Sequence, residues 1–516
     1  MVANLTTIQL AHIKQSPKVV INQIYLQFHF VESNFLLKVS ISEKAVRLYA
    51  LQNTMLSASL VALVMCLELW LAQAGLKEDI AACPLLPDLS TYFEALPSLG
   101  RRLQIATPCM GIDGAGHALK VLGCPTDVHN CYDLQDSYRQ VLTHHLKSMG
   151  MESITLNLGP VDGNLLNVPL RTLRKPIDFL ISGPPCPPWA GQGKHLGRKD
   201  DRAQVFIRVL TWVVYLIFTG GLIGCILENV PGILHVTPDG REPVATSFLD
   251  VLRKFCPMFD WQVCKLELQD YLFPQSRVRV FLRGLRKVFA ECVPPPLAPW
   301  GRRHLRDALG KSPHTPRDTW SVPQQRNIAD CEENIKSLQS KGKLNLDDVV
   351  VVPADRSHSE EIIYNSSMSI NCVPTLTTHN TYLCVMSVRD VVHEVADSER
   401  EYFRKLTGPE RLGLQAFPPD IAELVPEDKH VFASGNAFPP ALIIAVLQPM
   451  LKAVGPALAE WPPAEVLKDE DLPFIDDFIK ALCKPGKIIN RGKYLAHKAG
   501  QKKKSRKRKR ARSCSS

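Results

Sequence analysis

The 516-residue chain has no Cys-x-x-Cys pair, and no two of its 15 cysteines lie closer than seven residues apart. Structural zinc sites draw their thiolates from such close pairs, so the spacing excludes a zinc ribbon and leaves reduced, mostly buried thiols as the default. No metal is expected. A global coat of one charge is also missing. The formal net charge is +10, but Lys502–Arg512 alone supplies nine cations in eleven residues. The remainder is close to neutral, so the basic character is a terminal appendage. Residues 1–100 lack any usable periodicity or motif. They do hold an apolar run, Met55–Gly75, long enough to cross a bilayer. It contains Glu68 and ends Leu-Ala-Gln-Ala-Gly, yet it lies far from Met1 and has no basic flank after Met55. A helix packed on the body, or an anomalous leader, suits those flanks better than a membrane span.

Against these absences, 45% hydrophobic and 22% charged residues describe an ordinary globular protein with room for more than one domain. The stretch that organises it is Ile177–Ala190. Ile177–Ile181 has the length and bounding residues of a buried strand. It breaks at Gly183 into Pro184 and Pro185, and Cys186 follows, with Pro187 and Pro188 behind it. Prolines on both sides stiffen the backbone and remove amide donors. The thiol is thus held at the carboxyl end of a strand, where open α/β sheets place their active sites. Cys186 reads as a nucleophile, and positive charge near it would favour the thiolate.

Other fragments fit around it. Leu103–Ala106 reads as a strand, Thr107–Gly116 as a glycine-bearing loop and Ala118–Leu122 as a helix, the opening of a nucleotide-binding doubly wound sheet. Val128–Tyr132 is a candidate second strand ending at Asp133, a carboxylate suited to ribose hydroxyls or simply a solvated loop residue. Gly191–Arg202 is glycine-rich and basic, either a loop that closes over an anion or a plain linker. Val205–Phe218 is apolar nearly all round and predicts a core helix; Ile223–Leu227 predicts a strand ending at Glu228. Strands are predicted over Trp261–Leu268 and Val278–Phe281, with Arg277 and Arg279 on one face because residues two apart share a side. Val293–Pro299 opens a region poor in periodicity up to about Asn371, with a strand at Val349–Val352. Thr407 reads as the N-cap of a helix with Pro409 in its first turn, and Ala441–Val454 as an apolar helix.

These fragments, in this order, resemble the cytosine carbon-5 methyltransferases. The likeness covers about Leu103–Gly284 and Asn371–Val454. Its motifs are Pro-Pro-Cys at 184–186, Glu-Asn-Val at 228–230, Gln-x-Arg-x-Arg at 275–279, Arg-x-Leu-Thr-x-x-Glu at 404–410 and Gly-Asn-x-x-Pro-Pro at 435–440. The resemblance implies an α/β fold, a doubly wound, Rossmann-like and mostly parallel sheet with a small irregular target-recognition lobe. It divides the chain into an amino-terminal extension (1–100), a catalytic and donor-binding core (101–284), a target-recognition region (285–371), the carboxyl-terminal part of the core (372–455) and a basic tail (456–516).

By the same resemblance the activity is DNA (cytosine-5-)-methylation with S-adenosylmethionine as donor. Cys186 would add to carbon 6 of a cytosine flipped out of double-stranded DNA, Glu228 would act on ring nitrogen 3, and Arg279, with Arg277 beside it, would hold the carbonyl oxygen. The donor site would draw on Cys109, Met110, Gly111, Ile112, Gly114, Asp133 for the ribose, Asp162 near the adenine, Pro184 and Asn436. Three positions depart from the family: Asp113 replaces one of its paired glycines, Pro187 follows the cysteine, and Ala190 stands where serine is common. Asp113 is expected to crowd a carboxylate-bearing donor, which keeps open a catalytically silent nucleic-acid-binding regulator on the same fold. The transfer-RNA branch of the family is the other alternative, although its usual Cys-Phe-Thr signature is absent from the variable region. Every residue assigned to chemistry is present, which favours an active DNA enzyme. The tail suits phosphate contacts or nuclear import machinery, placing the protein in the nucleus.

Overall fold

The computed structural model describes residues 26–31, 34–39, 87–109, 111–148, 164–173, 175–189, 200–310, 314–355, 368–378, 382–462, 472–493 and 495–497. Met55–Gly75, Met110, Asp162, residues 190–199 and the basic run Lys502–Arg512 lie outside them. The chain forms two units, residues 1–79 and 80–516. In the first, β1 (Leu26–Val31) and β2 (Asn34–Val39) pair antiparallel as a hairpin, with Val31 opposite Asn34. The sequence reading missed this hairpin, although Leu26, Phe28 and Phe30 of β1 alternate with Gln27 and His29 as a strand's residues do.

The second unit is built on a six-stranded sheet of β3 (Leu103–Pro108), β4 (Thr126–Tyr132), β5 (Phe179–Ser182), β6 (Gly224–Asn229), β7 (Phe259–Glu267) and β8 (Val278–Arg286), in the order β4-β3-β5-β6-β8-β7. The pairs β4/β3, β3/β5 and β5/β6 are parallel, whereas β8 runs antiparallel to both β6 and β7. The two central strands, β5 and β6, are buried along their whole length, which is why they read as unbroken apolar runs. Successive residues serve opposite faces. Phe179, Ile181 and Ile226 join one core, while Leu180, Cys225 and Leu227 join the other. The first core is roofed by α1 (Gly114–Val121), α2 (Asp136–Ser148) and the helix 440–454; the second is covered by α3 (Arg202–Thr219), α4 (Val244–Phe255) and the helix 475–483. This is a doubly wound α/β fold.

The region after β8 departs from the expected lobe. It contains a 19-residue helix, α5 (Val322–Ser340), and a four-stranded sheet of β9 (Val349–Pro353), β10 (Ser369–Ile370), β11 (Leu383–Ser387) and β12 (Phe403–Lys405) in the order β10-β9-β11-β12. The lobe therefore does not end at residue 371, because β11 and β12 complete its sheet. Nor is it irregular. Helix α5 escaped notice because only Gln324, Asn327, Ile328, Cys331 and Ile335 are buried, too thin a stripe to set a clear period.

From β12 the chain returns through α6 (Gly408–Gly413), α7 (His430–Asn436) and α8 (Pro440–Val454) to α9 (Ile475–Cys483). Thr407 and Glu410 form the capping box at the start of α6, as the sequence predicts. Glu410 also pairs with Arg404 at 2.6 Å and 2.8 Å, with both side chains almost fully buried. Arg404 additionally donates to the Gly310 carbonyl, so one ion pair joins the lobe to the returning chain. Breaking it by Arg404→Met leaves a carboxylate buried without its cation. Urea unfolding is expected to show a loss of about 3–5 kcal/mol, and a change below about 1 kcal/mol would contradict this role.

Candidate active site at the carboxyl ends of the parallel strands

The site begins where β5 ends. Ser182 donates from its hydroxyl to the Pro108 carbonyl at 2.5 Å, pinning the end of β5 to the end of β3. The loop that follows folds into a turn, with the Trp189 amide donating to the Cys186 carbonyl at 2.9 Å. Trp189 is buried and packs edge-on against Phe206 of α3, ring centroids 5.4 Å apart. A Cβ on Gly232 would lie 1.9 Å from the Trp189 carbonyl oxygen, so the loop rests directly on backbone that follows β6. Asn229, the last residue of β6, donates to the Pro184 carbonyl at 3.3 Å and accepts from the Val230 amide at 2.9 Å. The prolines make the Cys186 loop stiff, and these contacts aim it.

One residue earlier on β6, Glu228 meets Arg279 of β8, Oε1 to Nε at 2.6 Å, with only 11% and 8% of the side chains exposed. Because β8 enters the sheet antiparallel, its first residues lie at the same edge as the last residues of β6. Cys186, Glu228, Arg277 and Arg279 are close enough that each of the last three acts on the thiol electrostatically. The net effect differs from the sequence expectation. Burial, and then the charge of Glu228, push the Cys186 thiol above its ordinary value; Arg279 and Arg277 offset this only in part. The resting thiol is thus protonated at neutral pH, and positive charge does not win.

Arg277 has a different place from the one expected. Its fully buried guanidinium donates to the carbonyls of Leu376, Gly435 and Ala437, and burial holds its pKa far below the usual arginine range. It ties the returning chain to β8 and cannot also grip a ligand through those hydrogens. Arg202, at the start of α3, is the cation that the motif reading left without a role. Its head is held by both oxygens of Asp200 at 2.9 Å and 2.8 Å, which raise its pKa, and it lies near enough to interact with Cys186 were that thiol ionised.

A second cluster lies at the ends of β3 and β4. Cys109 and Gly111 both have positive φ, 55° and 59°. The Gly111 amide donates to Asp133 Oδ2 at 3.0 Å, and the Gln135 amide to Oδ1 at 2.9 Å. Burial raises the Asp133 carboxyl to about 6, against the lowering effect of those amides and of Arg139. Burial and Asp133 together raise the Cys109 thiol. Asn436 completes this cluster, since its carbonyl oxygen lies 3.8 Å from where a Gly111 Cβ would sit. The two clusters adjoin at Gly183, whose Cβ position is within 3.4 Å of Glu228 Oε2, 3.6 Å of the Phe438 ring and 3.8 Å of the Cys109 carbonyl. Phe438, hidden in the sequence among the residues of an apolar loop, is therefore a shared wall.

Three of the residues expected at the donor site also have packing roles. The Ile112 side chain is buried in the first core. Gly114 gives α1 room to pack, for a Cβ there would meet the Phe438 carbonyl at 2.0 Å. Pro184 is buried with its carbonyl engaged by Asn229. Asp113 does not crowd the loop: its side chain has no exposed surface, accepts from the Gly116 amide and bonds His145. The crowding expected of Asp113 is therefore not what its side chain does.

A doubly wound sheet with a glycine loop, a β4-terminal carboxylate and a thiol at one edge is the architecture of a Rossmann-like methyltransferase. The chain belongs to the C-5 cytosine-specific DNA methylase family, whose model matches residues 111–452. The family uses S-adenosylmethionine as methyl donor. Among curated relatives, the type II methyltransferase M.DdeI of Desulfomicrobium norvegicum is 28% identical over 178 residues, 34% of this chain and 39% of that protein. The chain thus spans about two-fifths of that relative's length. The type II methyltransferase M1.HphI of Haemophilus parahaemolyticus is 26% identical over 352 residues, 66% of this chain and 83% of the relative. Among solved structures, the Entamoeba histolytica methyltransferase EhMeth superposes with a TM-score of 0.41 at 14% identity, over 68% of this chain and 98% of that one.

The electrostatics of Cys186 can be read directly. Removing the negative charge by Glu228→Gln lowers the thiol pKa. Iodoacetamide labelling of Cys186 at about pH 7.5, followed by peptide mass spectrometry, is expected to speed up about threefold or more, relative to the exposed Cys292. Unchanged or slower labelling would show that Glu228 does not act on this sulfur.

Proposed function

We propose that the protein transfers a methyl group from S-adenosylmethionine to carbon 5 of cytosine in double-stranded DNA, by way of a covalent cysteine adduct on a flipped-out base. The observation that carries this reading is the buried Glu228–Arg279 pair set against the Cys186 thiol. Carbon 5 of cytosine is too poor a nucleophile to take a methyl group unaided. As the base enters, Cys186 loses its proton to water and its sulfur bonds carbon 6, which moves electron density onto carbon 5. Glu228, held by Arg279 through Oε1, takes up a proton from solvent as the base enters and donates it to ring nitrogen 3, where the addition builds negative charge. The remaining guanidinium hydrogens of Arg279 can stabilise the ring's carbonyl oxygen. Once carbon 5 is methylated, loss of its proton to a base, with water the simplest candidate, expels the Cys186 thiolate and restores aromaticity.

The donor supplies an electrophilic methyl group on a sulfonium. The residues present fit it. Asp133, a carboxylate at the end of β4 held by the amides of Gly111 and Gln135, is the residue suited to the hydroxyls of a ribose. Leu134 beside it is 64% exposed, an apolar surface on which a purine can rest. The lobe of α5 and β9–β12 is assigned to reading the DNA sequence. The nine cations of Lys502–Arg512 are assigned to phosphate contacts and to import into the nucleus.

Three measurements test this reading. Incubation with donor and duplex DNA carrying 5-fluorocytosine is expected to trap the protein covalently, because fluorine cannot leave as a proton does. Cys186→Ala should abolish the trap; no adduct with the wild type, or an equal adduct with the variant, would end the proposal. With its carboxyl raised to about 6, Asp133 is ionised at neutral pH and becomes protonated as pH falls through that value, losing acceptor capacity. Donor affinity by calorimetry should therefore drop below about pH 6, and a flat profile in Asp133→Asn would assign the drop to this residue. Deleting residues 502–512 should weaken nuclear retention and the salt dependence of DNA binding while short duplexes are still methylated. Unchanged retention together with an unchanged salt slope would refute the assignment of the tail.

A further inference from the structure

We propose that His145, on α2, is a positioning residue for the methyl donor, acting through Asp113 to hold the donor loop in its left-handed form; this rests on the donor-site reading above. The loop from Cys109 to Asp113 passes through φ values of 55° at Cys109, 59° at Gly111 and 59° at Asp113. Glycine adopts such angles freely, and an L-residue does so only under restraint. Asp113 is restrained at both carboxyl oxygens. Oδ1 accepts from the Gly116 amide at 3.0 Å, capping α1, and Oδ2 accepts from His145 Nδ1 at 2.8 Å, with the two side chains 0% and 2% exposed.

The surroundings are built for this pair. A Cβ on residue 116 would lie 2.3 Å from Asp113 Oδ2, so the carboxyl can fold over the first turn of α1 only because Gly116 has none. The His117 ring packs against His145 with centroids 5.9 Å apart. Helix α2 reaches the donor cluster a second time, where Arg139 donates to the Asp133 carbonyl at 2.8 Å. One helix thereby holds both donor-facing segments, the glycine loop through Asp113 and the end of β4 through Arg139. Gly111 and Asp133 are then joined to each other by the hydrogen bond from the Gly111 amide to Asp133 Oδ2.

The test is a double-variant cycle on the full chain, read by calorimetry with S-adenosylmethionine. His145→Leu should weaken donor binding about tenfold or more. Donor KM should rise in parallel, while kcat at saturating donor and affinity for a short duplex stay within about twofold. His145→Asn, which keeps an N–H near the Nδ1 position, should retain most of the affinity. In the Asp113→Gly background, where the loop no longer needs the restraint, adding His145→Leu should change donor affinity by less than about threefold. That comparison leaves no buried carboxylate behind and holds even if the single leucine variant fails to fold. A wild type that binds no donor overturns the donor-site reading and this proposal together. A wild type that binds, with His145→Leu folded and equally tight, overturns the proposal alone. So does a loss of more than about threefold when His145→Leu is added to Asp113→Gly.

Discussion

The site depends on one ion pair, Glu228 with Arg279, held at the edge of the sheet with little access to water. A buried pair of this kind is costly to desolvate and is retained only where its geometry is fixed from both sides. Here the sheet fixes it. β6 runs parallel to β5, so Glu228 and the Cys186 loop emerge at the same edge. β8 runs the other way, so Arg277 and Arg279 arrive at that edge from outside. An all-parallel sheet would have put the arginines at the opposite end, so the single reversal of strand direction is what assembles the site.

The pair also governs its neighbours. Glu228, with burial, raises the Cys186 thiol, and the two arginines offset that only partly, so the thiol is kept protonated. Arg277, buried beside the Arg279 guanidinium, donates hydrogen bonds to the carbonyl oxygens of Leu376, Gly435 and Ala437. The carbonyls of Gly435 and Ala437 belong to the segment that carries Asn436 and Phe438. One buried arginine next to Glu228 and Arg279 is thus hydrogen-bonded to the segment that carries Asn436 and Phe438.

Much of this was legible in the residues. β5 and β6 are buried on both faces and so show as continuous apolar runs, and the motifs at their ends sit in loops whose prolines and glycines are local signals. The Thr407 cap was legible for the same reason, since a capping box is a four-residue object. What escaped was set by partners distant in the chain. The ionisation of Cys186 depends on burial beneath a folded loop and on a carboxylate 42 residues away, and no local pattern weighs the two. The fate of Asp113 turns on His145, 32 residues on. The lobe's extent was missed because β9 finds its partner β11 beyond a stretch without periodicity. Ile112 was read as loop because it lies between glycines, yet its side chain belongs to the core.

The central claim is that Cys186, Glu228 and Arg279 act together on one cytosine. Its most direct test is transfer of a labelled methyl group from S-adenosylmethionine to duplex DNA, followed by digestion to nucleosides. The account predicts label in 5-methyl-2′-deoxycytidine with the wild type and none with Cys186→Ser. Label in any other nucleoside, or equal label from the serine variant, would contradict it.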